Sequence, residues 1–226
     1  AHAASHIQRY PNMAVPELRV ALAARLGVQP EELCFGSGSV EVAGQLIRAF
    51  AGAGDEVMYA WRSFEAYPIL VRGAGATPVQ VPLTEDHRHD LAAMLAAITE
   101  RTRVIFICTP NNPTGTVVGH DELREFVKAV PSHVLVVIDE AYVHFQTETD
   151  AARGLELYRE FENVAVLHTF SKAYGLAGLR LGYAVAREDV RDGLEKVALP
   201  FGVTDIAQAA GVKSLEVEAE LQERID

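Results

Sequence analysis

Short apolar runs separated by amphipathic segments constrain this chain more than any other feature. Glu56-Val57-Met58-Tyr59, Thr77 to Val81, Val104 to Ile107, Val134 to Ile138, Val164 to Leu167 and Gly182 to Val185 are short, apolar and rich in β-branched residues. That is the pattern of strands buried on both faces. Between and around them, Pro16 to Leu26, Val40 to Phe50, Leu91 to Ile98, Asp121 to Val130 and Asp205 to Asp226 read as helices. The alternation predicts an α/β fold with a largely parallel central sheet flanked by helices. At 226 residues and 49% hydrophobic content, the chain can bury one large core. It has no internal repeat, low-complexity tract or linker.

A formal charge of -11 argues against nucleic acid as a partner, because phosphate neutralisation needs a basic face. The start, Ala1 to His6, lacks a basic region followed by an apolar core, and no run is long enough to suggest a membrane span. Cys34 and Cys108 are far apart and outside any CxxC pattern, which reads as two buried thiols in a reducing compartment. A cytoplasmic protein is the expectation. Asp86-His87-Arg88-His89-Asp90 is read as a solvated turn before a helix rather than a metal site, since no second ligand cluster accompanies it.

In open α/β sheets ligands bind beyond the carboxyl ends of the strands, and there the sequence turns polar. Asn111-Asn112-Pro113-Thr114-Gly115 follows one run, Asp139-Glu140-Ala141-Tyr142 another, and His168-Thr169-Phe170-Ser171-Lys172 a third. Between Glu162 and Glu188 the chain holds no acid, yet carries Lys172, Arg180 and Arg187. Of the four lysines, Lys172 alone follows a buried run in a Gly-rich setting; Lys128, Lys196 and Lys213 have charged neighbours. Apolar surroundings would favour its neutral, nucleophilic amine and make it a Schiff-base candidate. Thr169, Ser171 and Arg180 supply donors suited to a phosphate dianion. A lysine beside a phosphate cup suggests pyridoxal phosphate, and Asp139 can keep the pyridine nitrogen of that cofactor protonated. A Walker-type P-loop is absent, and Gly36-Ser37-Gly38 lacks the third glycine of a dinucleotide fingerprint.

Four stretches occur in one order: Arg9-Tyr10-Pro11, PNNPTG ending at Gly115, Asp139-Glu140-Ala141-Tyr142, and TFSKAYGLAGLRLGY from Thr169 to Tyr183. With them the chain resembles, over nearly its whole length, the fold-type-I pyridoxal-phosphate aminotransferases of the histidinol-phosphate aminotransferase group. The resemblance implies that Lys172 binds the cofactor and moves the substrate proton, and that Asp139 pairs with the pyridinium nitrogen. It implies that Asn112 and Tyr142 hydrogen-bond the phenolic oxygen and that Phe64 stacks on the ring. It assigns the phosphate to Ser171, Arg180 and the amides of Ser39 and Val40 at a helix start, beside the Thr169 hydroxyl read above. Tyr10 would reach the neighbouring subunit's phosphate, so a homodimer is implied.

Two departures bear on substrate. Val40 occupies a place where the histidinol-phosphate pattern has an acid, and Trp61 to Pro68 looks more like the actinobacterial aromatic (phenylalanine) branch. The expected activity is therefore ping-pong transfer of an amino group between an aromatic L-amino acid and 2-oxoglutarate. Histidinol phosphate is the alternative donor; a pyridoxal-phosphate decarboxylase or a non-catalytic cofactor-binding module is less favoured. Residues 1–226 would form the cofactor-binding large domain. The resemblance also implies a small substrate-closing domain after Asp226 and a segment before Ala1, so the arginine that grips the substrate carboxylate is not named.

Overall fold

The computed structural model describes residues 3–226, so Ala1 and His2 of the chain start read above lie outside the described residues. Seven strands, β1 (Leu33–Ser37), β2 (Glu56–Trp61), β3 (Thr77–Pro82), β4 (Thr102–Cys108), β5 (Leu135–Asp139), β6 (Val164–Thr169) and β7 (Leu181–Val185), make one sheet. Their order is β1-β7-β6-β5-β4-β2-β3. β3, β2, β4, β5 and β6 run parallel, while β7 is antiparallel to both β6 and β1. The sheet is thus mixed but mostly parallel, and α/β architecture holds.

Alternation along the strands divides the core into two layers. On β4, Ile105 and Ile107 join one apolar cluster with Met58, Val136, Ile138 and Val166; Val104 and Phe106 join the other with Val57, Tyr59, Val137 and Leu167. Because both faces are covered, these strands carry no polar alternation, which is why they stand out as continuous apolar runs. Helices α1 (Pro16–Leu26), α4 (Leu91–Ala96), α5 (His120–Ala129), α6 (Gly154–Glu160) and α8 (Asp205–Glu216) send Leu18, Met94, Phe126, Leu157 and Ala207 into the first layer. From α2 (Ser39–Phe50), α3 (Ala66–Gly73) and α7 (Glu188–Val197), Leu46, Val71 and Leu194 enter the second.

Four readings of the sequence change. Leu33–Ser37 is a strand that its Gly and Ser content concealed; it is recruited by antiparallel pairing with β7, Phe35 opposite Tyr183. β3 is an edge strand and, apart from Val81, exposed or half-buried, not buried on both faces; Pro78 and Pro82 suit an edge because they lack a donor. The final helical segment breaks at Val217 into α8 and α9 (Glu218–Ile225). His89 is not solvated: its ring is 4% exposed, and burial pushes its pKa down to about 4.

Both cysteines are free and buried. Among the described residues no helix is long and apolar enough to cross a membrane, and no cluster of His, Cys, Asp or Glu could hold a metal ion.

Candidate active site

Register brings the polar strand ends together. Cys108, the last residue of β4, pairs with Asp139, the last of β5, which in turn pairs with Leu167 on β6. Beyond these ends lies a cavity of about 170 Å³. It is lined by Ser39, Val40, Phe64, Asn112, Asp139, Tyr142, Thr169, Ser171, Lys172 and Arg180, together with Cys108, Ala141 and Ala177. Every candidate residue from the sequence except Tyr10 therefore meets at one place.

One end of the cavity is a cationic cup. α2 begins at Ser39 behind Gly38, and the first amides of a helix have no intrahelical acceptor, so they attract an anion. Arg180 Nη1 donates to Ser171 Oγ at 3.3 Å and to the Ala177 carbonyl at 2.9 Å, and Nη2 donates to the Ser37 carbonyl at 3.4 Å. Among the described residues no carboxylate pairs with Arg180, leaving its charge for an incoming anion. The approach is possible only because position 38 is glycine: a Cβ there would overlap the Arg180 guanidinium, and its φ of 84° already favours glycine. A Cβ on Gly182 would similarly overlap the Ser39 amide nitrogen. Arg180 itself sits at φ 54°, an uncommon left-handed conformation for a residue with a side chain. Thr169 Oγ1 accepts from the Ser171 amide at 3.1 Å and so fixes the turn that leads into Lys172.

The other end is acidic and buried. Asp139 is buried; its Oδ2 accepts from the Tyr67 hydroxyl at 2.6 Å and its Oδ1 from the Ala141 amide at 3.2 Å. Burial pushes its carboxyl up, against the two hydrogen bonds and the charge of Lys172, which pull it down. Between the two ends, Lys172 Nζ lies 5.0 Å from the centre of the Tyr142 ring, while half-buried Phe64 meets Tyr67 edge to face at 5.5 Å. Lys172 is exposed, which corrects the expected apolar setting.

This donor set fits pyridoxal phosphate in kind: donors and a cation for a phosphate, a buried acid for a ring nitrogen, an aromatic face and an amine. Tyr10 does not join it. Its ring is 81% exposed and packs on Phe201 at 4.6 Å. Tyr67, present in the sequence reading only as a member of the Trp61 to Pro68 stretch, is the site residue that sequence reasoning missed. Its contact with Asp139 spans 72 positions and leaves no local signal.

Behind the cavity lies a second buried polar pair. His168 Nε2 is 3.3 Å from Glu140 Oε2 but lacks hydrogen-bond geometry, while Glu140 Oε1 accepts from the Gly154 amide at 2.7 Å. Burial favours the neutral form of each, pushing Glu140 up to about 7 and His168 down to about 3.

The seven-stranded, mostly parallel mixed sheet flanked by helices is the fold of the fold-type-I pyridoxal-phosphate aminotransferases. The model of the family Aminotransferase class I and II matches residues 1–226. The aromatic amino acid aminotransferase of Cutibacterium acnes is 57% identical over 218 residues, which covers 96% of this chain and 62% of that protein. That of Streptomyces coelicolor is 57% identical over 223 residues, covering 99% and 62%. Histidinol-phosphate aminotransferase from Sinorhizobium meliloti, solved in complex with pyridoxal-5'-phosphate, superposes with a TM-score of 0.92 at 32% identity, covering 99% of this chain and 61% of that one. The chain belongs to the class I and II aminotransferases, and it spans 62% of the length of these two curated relatives.

Proposed function

We propose that the protein binds pyridoxal phosphate and transfers an amino group between an aromatic L-amino acid and 2-oxoglutarate, giving an arylpyruvate and L-glutamate or the reverse. The single observation that carries this is the convergence of Lys172, Asp139, Asn112, Tyr142, Phe64 and the Ser171–Arg180 cup on one cavity. When bound, pyridoxal phosphate supplies an electron-withdrawing ring that stabilises negative charge at the substrate α-carbon. Arg180, Ser171, Thr169 and the amides of Ser39 and Val40 hold its phosphate. Asp139 holds the proton on its ring nitrogen, and Asn112 and Tyr142 donate to its phenolic oxygen. Phe64 covers its face, and Lys172 anchors it and moves the proton at the substrate α-carbon. Residues 1–226 serve as the cofactor-binding large domain of the enzyme.

The aromatic donor is supported by the two relatives named for that activity. Histidinol phosphate is the second reading, favoured by the likeness to the Sinorhizobium meliloti structure. A homodimer is the working unit in this reading, in which Tyr10 would reach the partner's phosphate; the exposed Ile7, Tyr10, Met13 and Leu199 support it. Free, buried Cys34 and Cys108 suit a cytoplasmic setting.

The test follows the visible absorbance of the protein loaded with pyridoxal phosphate during separate additions of L-phenylalanine and L-histidinol phosphate. Discharge by phenylalanine at much lower concentration is the expected result. Discharge by histidinol phosphate first would reverse the substrate assignment, and a stable band with either donor would overturn both.

A further inference from the structure

We propose that Tyr67 is a positioning residue of the cofactor site: its phenol holds the Asp139 carboxylate charged and oriented, leaving it free to meet a protonated ring nitrogen. The inference rests on the pyridoxal-phosphate reading above and adds a residue to it.

Three rings fix the donor. Tyr67 is fully buried, stacked on Phe106 with centroids 4.7 Å apart, and tilted or edge-on to Tyr59 and Phe64, each at 5.5 Å. Its amide donates to the Phe64 carbonyl at 3.1 Å, so the ring-covering aromatic and the Asp139 donor belong to one turn at the start of α3. The packed ring places its hydroxyl 2.6 Å from Asp139 Oδ2, to which it donates, with the Cys108 thiol as a second neighbour. The Ala141 amide occupies the other oxygen. A carboxylate gripped at both oxygens cannot swing, yet each oxygen keeps a lone pair.

Charge makes the phenol necessary. Burial alone would drive Asp139 toward its neutral acid, and the Tyr67 hydrogen bond is the largest influence opposing it, followed by the Ala141 amide and Lys172. Of the other titratable groups near it, Tyr67 and Cys108 stay neutral at neutral pH, and the one acid that titrates there is Glu140, at about 7. Burial and the Asp139 charge hold the Tyr67 phenol protonated well above its usual range, and burial raises the Cys108 thiol to about 12. The neighbouring Glu140 is turned to the Gly154 amide. Tyr67 is thus always a donor and never a rival anion.

The test is a double-mutant cycle read by equilibrium binding of pyridoxal phosphate, without turnover, in wild type, Tyr67→Phe, Asp139→Asn and the double variant. Tyr67→Phe keeps the ring and its packing. It should weaken binding by about tenfold, the scale of one hydrogen bond to a charged group, and lose most of that effect when Asp139 is already Asn. In the cofactor-free protein, the Asp139 carboxyl followed by carbon NMR should titrate about one pH unit higher in Tyr67→Phe. Equal losses in both backgrounds, with an unmoved Asp139 titration, would reduce Tyr67 to packing. A general loss of folding falls equally on both arms of the cycle, so the comparison still decides. Failure of the wild type to bind pyridoxal phosphate would instead sink the cofactor reading itself.

Discussion

At the carboxyl ends of β4, β5 and β6 the charged groups Asp139 and Arg180 are held by neighbours, whereas around Tyr10 and Phe201 the aromatic side chains face outward. Asp139 has Tyr67 and Ala141, and Arg180 has Ser171, Ala177 and Ser37. Tyr10 has Phe201 alone among aromatic partners within the described residues, and that ring is itself exposed. The first region is pre-organised by the sheet that carries it; the second is arranged as a surface. The contrast assigns different dependences: variants of the cavity should fail whatever the assembly, and variants of the Tyr10 surface only through a partner.

The largest effect belongs to Lys172→Ala, which should lower turnover with phenylalanine and 2-oxoglutarate by ~10³-fold, since it removes the group that moves the proton. Near-normal turnover in steady-state assays would remove Lys172 from the chemistry. Next, Arg180→Ala should weaken pyridoxal-phosphate binding by roughly 10- to 100-fold, the range for hydrogen bonds to charged groups, when titrated by absorbance. Gly38→Ala should cost about 1–3 kcal/mol in denaturant unfolding through its left-handed backbone. It should also weaken the cofactor by displacing the guanidinium. For Tyr10→Phe, stability should stay within ~0.5 kcal/mol because the ring is exposed. Cofactor affinity should fall about tenfold in the dimer alone, so an equal loss in dilute monomer would erase the distinction between the two regions.

The smallest effect concerns the Glu140–His168 pair behind the cavity. Glu140 ionises near 4.5 when unfolded and at about 7 when folded. The folded state therefore binds the extra proton, and the contribution of Glu140 to stability is present below pH 4.5 and lost as pH rises through 7. His168 slopes the other way, losing stability as pH falls from 6.5 toward 3. Glu140→Gln removes only the first slope. Its melting temperature relative to wild type should climb between pH 5 and pH 8, and a constant difference would contradict the buried carboxyl.

Much of this was legible in the sequence for a physical reason. Strands covered on both faces have to be apolar, so β2, β4, β5 and β6 declare themselves, and the polar residues after them are conspicuous by contrast. The helix start is marked by Gly36-Ser37-Gly38, and position 38 needs glycine because a Cβ there would overlap the Arg180 guanidinium. What escaped depends on contacts between distant segments. β1 exists because β7 pairs with it, Tyr67 matters because the sheet brings it to Asp139, and His89 is buried although its neighbours in sequence are charged. The exposure of Lys172 was equally hidden, because burial of a side chain after a strand is set by what packs over the strand end.

In the proposed function Lys172, alone among the four lysines, anchors the cofactor in this cavity. Loading the protein with pyridoxal phosphate, reducing it with borohydride and mapping the modified peptide by mass spectrometry tests that directly. A phosphopyridoxyl group confined to Lys172 is the predicted result; the group on Lys128, Lys196 or Lys213, or no stable attachment at all, would contradict it.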